Sequence, residues 1–215
     1  HTSPSNSLSN NNLTVILNHG SGVSHSSDGK STGKWYFEAT ADSNNHFMPG
    51  LTKNSLFSQT NPWLTNFVYF LYTFPNPDQS VEGVNFSTTN NVTGGSDYTG
   101  GEKISVAVDF DAGKLWYAID CVWYNSGDPA NGTNPVVSGM EKTVYFPSIY
   151  GERGVTATAN FGQNSFDCTV PTGFFPGWTT NTESAVSSGA QFKKASGQFL
   201  SKAANTGDSQ KKFTF

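Results

Sequence analysis

The stretch KISVAVDFDAGKLWYAIDCVWY, Lys103 to Tyr124, restricts the possible folds more than any other part of the chain. Ile104, Val106, Val108 and Phe110 alternate with Lys103, Ser105, Ala107 and Asp109. Leu115, Tyr117 and Ile119 resume the alternation after a break. A period of two marks strands with distinct faces. The break, Asp111-Ala112-Gly113, reads as a three-residue hairpin loop with Gly113 at the position that wants positive φ. Asp120-Cys121 makes a second turn, and Val122-Trp123-Tyr124 a short third strand.

The same signal recurs along the chain. From Lys34 to Thr40, Trp35, Phe37 and Ala39 share one face, and Lys34, Tyr36, Glu38 and Thr40 the other, as in a half-buried strand. Leu13 to Leu17 is a first strand, followed by a loop over 18–33. Phe47 to Leu51 is a weak strand broken by Pro49 and Gly50. Asn66 to Phe74 is apolar on both faces and suits a central strand covered on two sides. Val144 to Ile149 and Val155 to Phe161 complete the set, and Trp35, Phe110, Trp116, Phe146 and Phe161 are the expected core aromatics. No segment before about residue 180 carries a helical period. The fold class this implies is all-β, an antiparallel β-sandwich. Residues 1–12 read as a loose lead-in, 13–178 as the sandwich, 179–190 as a linker, and 191–215 as the start of a following β domain or a tail. With His1 at one end and a strand-like run at the other, the chain reads as a fragment of a longer protein.

Composition narrows the function classes. Charged residues make up 13% of the chain, about half the usual share. The net charge is −4, and no basic tract is present to neutralise a phosphate backbone, which argues against nucleic acid as a partner. No apolar run approaches membrane-spanning length. Polarity comes from Asn, Ser, Thr and Gly, a make-up that suits an extracellular or virion protein better than a cytosolic enzyme.

Five segments, in order, resemble the SPRY (B30.2-like) family. STGKWYFEAT resembles its Gly-Lys-Trp-Tyr-aromatic-Glu strand, and GGEKISVAVDFDAGKLWYAIDCVWYN its GDxIGVxLDxxxGxLxFxxNG hairpin. VYFPSIYG, ATANFGQNSF and PTGFFPGW resemble the segments that close the domain. The resemblance implies a SPRY/concanavalin-like jelly roll, with no catalytic residues, cofactor or metal. The details resemble SPRY-like repeats of bacteriophage structural proteins, which have lead-ins like HTSPSN and pass into laminin-G/concanavalin-like domains that begin like GQFLSKAANTGDSQKKFTF. That implies a virion location, in a tail fibre, appendage or capsid-decorating protein, with other virion proteins as partners and a homo-oligomeric assembly. A host cell-surface glycan or protein is a further implied partner. The alternative is a carbohydrate-binding module of a secreted bacterial protein. Two departures stand out: the segment from Gly50 to Gly101 is longer and more aromatic than the family pattern, and Cys121 sits where the family places glycine. The cysteine leaves a distorted turn, a buried thiol, or, least favoured, a bridge to Cys168.

The residues that could carry chemistry favour bland roles. Asp109 and Asp111 have calcium-loop spacing, but the fifth and sixth positions are Gly113 and Lys114, so the pattern fails. Asp109 is expected on the polar face, with Asp111 opening the turn. His1, His19, His25 and His46 lack metal-ligand spacing and read as solvated. Glu38 is expected on the solvent side as a cross-strand partner for a lysine. Loops over 53–66, 75–100, 125–135 and 150–154 are the expected ligand contacts by analogy with SPRY modules, with Trp63, Tyr150, Glu152 and Arg153 as the candidate binding residues.

Overall fold

The structure, a computed structural model, describes residues 6–17, 22–43, 47–53, 67–71, 80–83, 89–91, 98–151 and 154–178. Its strands are β1 (Ser7–Ser9), β2 (Thr14–Leu17), β3 (Gly22–His25), β4 (Lys34–Ala41), β5 (Met48–Lys53), β6 (Phe67–Leu71), β7 (Ser80–Gly83) and β8 (Thr89–Asn91). They continue with β9 (Ile104–Asp109), β10 (Lys114–Ile119), β11 (Val122–Trp123), β12 (Val137–Ser138), β13 (Tyr145–Gly151), β14 (Val155–Asn160) and β15 (Phe175–Pro176). Among the described residues they form two sheets. The first runs β1-β2-β14-β4-β9-β10-β11, with β12 on β10 and β15 on β4, and the second runs β3-β13-β5-β6-β7-β8. All pairings are antiparallel except β15 with β4. The antiparallel β-sandwich expected from the alternation is the fold observed.

The core lies between the sheets. Phe37, Val106, Leu115 and Tyr117 from the first sheet meet Leu51, Leu71 and Tyr145 from the second, all essentially inaccessible. The hairpin strands pair in the register Lys114↔Asp109 through Ile119↔Ile104, so the loop holds four residues, 110–113, one more than expected. Gly113 has the positive φ of 65° that its place requires. It is Asp109, not Asp111, that closes this loop: its Oδ1 accepts from Ala112 N–H at 2.9 Å. Its Oδ2 pairs with Lys34 Nζ at 3.1 Å across the β4–β9 register, so Asp109 is buried rather than on an open polar face. Asp111 instead accepts from Gly33 N–H at 3.0 Å and anchors the neighbouring loop.

Several strands depart from expectation. Ser7–Ser9 of the lead-in pairs with β2 as an edge strand, turned by Asn10, Asn11 and Asn12, all at positive φ, which asparagine tolerates. β3 lies within the expected loop and pairs with β13. β5 is not broken at Pro49 and Gly50 but runs on to Lys53 inside its sheet. Pairing with β6 begins at Gly50, one residue past the proline. A Cβ on Gly50 would meet the Tyr69 carbonyl oxygen at 1.9 Å, so glycine here permits the close approach of two backbones. In β6, Phe70 and Leu71 are both buried although successive side chains point to opposite faces, as the doubly apolar run suggested. The expected linker and following segment, 179–190 and 191–215, lie outside the described residues.

Candidate functional site

The outer face of the first sheet is covered over β4, β9 and β10. Tyr36 and Trp116 are fully buried there, with Ala107 and Phe174, and the partly buried Phe166, Val170 and Trp123 pack against them. The cover is the segment 161–178, a strap that follows β14 and returns along β4 as β15. Phe166 meets Tyr36 edge-on at 5.0 Å and Phe174 meets Trp116 edge-on at 6.2 Å. Such pairs add to the burial of large rings, which dominates the energetics of a face like this.

Two fastenings hold the strap. Glu38, expected at the surface, is 2% exposed. Its Oε1 accepts from Cys168 N–H at 2.9 Å and from the Tyr36 hydroxyl at 2.6 Å, and its Oε2 accepts from Asp167 N–H at 3.0 Å. Tyr36 also exchanges a hydrogen bond of 2.8 Å with Ser105 Oγ. Burial, and then the hydrogen bond to Glu38, push the Tyr36 phenol well above its ordinary pKa. The lysine pairing expected of Glu38 belongs to Asp109 instead. The second fastening is a disulfide between Cys121 and Cys168, with Cα atoms 5.3 Å apart.

That bridge resolves the anomaly at Cys121. Asp120 and Cys121 have φ of 45° and 68°, and Ile119 pairs with Val122, so the tight two-residue turn is kept without glycine. Asp120 secures it by donating N–H to the Lys103 carbonyl and accepting Lys103 N–H on Oδ1, both at 2.9 Å. A left-handed cysteine costs about 1 kcal/mol or more, which a cross-link over 47 residues offsets with about 4 kcal/mol on chain-entropy grounds.

A cleft of about 330 Å³ opens where the two sheets part beside β1–β2 and β3. Val15, Phe37, Ile149 and Ala159, all buried, line its depth. Asn12, Ser24, Ser26 and Ser27 line it with the half-buried Phe161 and the exposed Leu8. His25 backs the cleft but packs its ring on Phe146, at 5.3 Å and 62°. It is buried rather than solvated, and its Nδ1 donates to the Ser26 carbonyl. Burial outweighs that hydrogen bond and lowers its pKa to about 4, so the ring is neutral at pH 7.

Of the four residues expected to bind ligand, Trp63, Glu152 and Arg153 lie outside the described residues. Tyr150 is no loop contact: it is 2% exposed in β13, opposite Val23 and Met48. Strand β13 runs to Gly151 because β3 pairs with it up to Gly22↔Gly151. His1, His19 and His46 also fall outside the described residues. Sequence reasoning missed Glu38 and the cleft serines. Glu38 sits at an outward position of an alternating strand, and only the strap reverses that reading. For the serines, the alternating Val23-Ser24-His25 was the available signal.

No protein-family model and no curated protein sequence matches the chain. Solved structures do. The SPRY domain of human HERC1 matches with a TM-score of 0.56 at 13% identity, over 76% of this chain and 96% of that domain. The PSpry domain of TRIM65 matches with a TM-score of 0.51 at 13% identity, over 72% of this chain and 84% of the other. The chain has the fold of the SPRY domains.

Proposed function

We propose that the chain is a non-enzymatic interaction module, one β-sandwich of a bacteriophage virion protein of the tail-fibre, appendage or capsid-decorating kind. Its work is assembly contact with other virion proteins within a homo-oligomer, and recognition of a host surface through parts of the sandwich that remain open. The observation that carries this reading is the strap. It closes the outer face of the first sheet over Tyr36 and Trp116, leaving loops and sheet edges of a rigid frame to make contacts. The SPRY fold, the low charge and the HTSPSN lead-in support it. The Cys121–Cys168 bridge suits a particle that meets an oxidising medium. Quantitative proteomics of purified particles against cleared supernatant tests the reading. Copy numbers in fixed ratio to a structural protein are expected. Recovery only as secreted, particle-free protein would instead overturn it and leave the free-standing carbohydrate-binding module as the reading to test.

A further inference from the structure

The cleft between the sheets is lined by neutral side chains. Among the described residues no Asp, Glu, Lys or Arg lines it, and His25, which does, is neutral at pH 7. A charged ligand would therefore be desolvated there without a counter-charge, at a cost of several kcal/mol. What the accessible part presents is one amide, Asn12, the hydroxyls of Ser24 and Ser27, and the half-buried ring of Phe161, while the Ser26 hydroxyl also lines it but already accepts from Asp28 N–H at 3.0 Å and donates to the Asp28 carbonyl at 3.3 Å. The ring of Phe37 lies deeper, with its centroid 5.6 Å from that of Phe161. The amides of Asn160 and Gln163 hold the turn that carries Phe161: Asn160 Oδ1 accepts from Gly162 N–H, and Gln163 Oε1 from Phe161 N–H. Asn6 Nδ2 donates to Ser24 Oγ at 3.3 Å, so that hydroxyl is already oriented.

An uncharged ring that shows an apolar face to an aromatic side chain and hydroxyls to amides and serines fits this arrangement. The cleft volume, about 330 Å³, is at the lower end of ligand pockets and suits a single ring rather than a long chain. We infer that the cleft binds one neutral sugar residue, stacked near Phe161 and hydrogen-bonded by Asn12 and the Ser24–Ser27 segment. This rests on the recognition reading above and gives it a ligand class, at a place the loop analogy did not indicate.

The test is a titration of the full 215-residue chain, isotope-labelled, followed by amide NMR shifts. The probes are methyl glycosides of glucose, galactose, mannose and N-acetylglucosamine, with glucuronate and N-acetylneuraminate as charged counterparts and cyclohexanol as an apolar ring. Saturable shifts confined to the cleft are expected for at least one neutral glycoside, with Kd of about 1–10 mM, typical of a single small ligand. Ser27→Trp at the exposed rim, and Asn12→Gly, which keeps the positive φ of that turn, are each expected to weaken binding roughly tenfold, about 1.4 kcal/mol, with unchanged melting. Absence of saturable cleft shifts with every neutral glycoside overturns the inference. So does equal binding of the acidic sugars, or insensitivity to both variants. Saturation by cyclohexanol alone also overturns it and identifies a pocket for an apolar side chain of a protein partner. Each negative result leaves the particle location, measured separately, untouched.

Discussion

Glu38 and Cys168 are 130 residues apart in sequence, yet the Glu38 carboxylate accepts the Cys168 backbone N–H at 2.9 Å. The acceptor therefore lies beside the disulfide that Cys168 forms with Cys121. One point of the strap is held both covalently and by a buried acceptor. The neighbouring Asp167 N–H bonds to the same carboxylate.

Removing the acceptor leaves two backbone N–H groups and the Tyr36 hydroxyl to find new partners in a buried place. Each buried polar group left unmatched costs about 1–3 kcal/mol. Glu38→Ala is therefore expected to destabilise the chain by about 3 kcal/mol or more, and Glu38→Gln, which keeps one acceptor oxygen, by less. Urea denaturation of both variants checks the order. A Glu38→Ala midpoint equal to the parent's would show that the strap does not depend on this side chain.

The bridge and the turn are separable. Cys121→Ser loses the cross-link and keeps a strained residue at a φ of 68°. Cys121→Gly loses the cross-link and relieves the strain. In oxidising buffer both variants are expected to fall below the parent, by up to about 4 kcal/mol. Glycine is expected to be the more stable of the two by about 1 kcal/mol. Under a dithiol reductant the glycine variant should match or exceed the parent. Thermal melts in the two buffers give the comparison.

Trp116 anchors the face beneath the strap, with its indole N–H donated to the Thr133 carbonyl at 2.8 Å. Trp116→Ala is expected to cost about 3–5 kcal/mol. It should also raise proteolytic cleavage within 161–178 before global unfolding. Cleavage that begins elsewhere would argue against the strap as the element released.

His25 supplies a pH dependence with a definite sign. Its folded pKa of about 4 lies below the ordinary value of 6.5, so the unfolded chain binds the proton more readily. Stability from this group is complete above pH 6.5 and falls as pH drops from there toward 4. His25→Gln is expected to flatten the melting-temperature profile across that window. A parent-like slope in the variant would assign the dependence to other groups.

The hairpin over 103–124 was legible because its side chains repeat with the pleat and Gly113 and Asp120 suit its turns, although Cys121 does not. The sandwich followed from that pattern and its recurrences. The two sides of β4 were not legible. Alternation reports which residues share a face, and it cannot report that an irregular segment more than 120 residues later will cover the polar one. Tyr36 and Glu38 were misplaced for that reason, and the pairing of Cys121 with Cys168 was ranked last among its alternatives for the same one. Gly50 misled differently. It reads as a strand breaker, but here a missing side chain lets β5 and β6 approach. Tyr150 was taken for a loop residue because the extent of β13 is set by its partner β3, whose Gly- and Ser-rich sequence resembles a loop.

A sandwich that works by contact within a virus particle, as proposed, must lie against another virion protein or a second copy of itself there. Cross-linking mass spectrometry on intact purified particles tests it most directly. Cross-links are expected from lysines of this chain, such as Lys53 and Lys142, to another virion protein or to a second copy of itself, in unreduced particles that also yield the Cys121–Cys168 peptide pair. Particles that carry the chain at stoichiometric level without any such cross-link, or that lack the chain altogether, would contradict it.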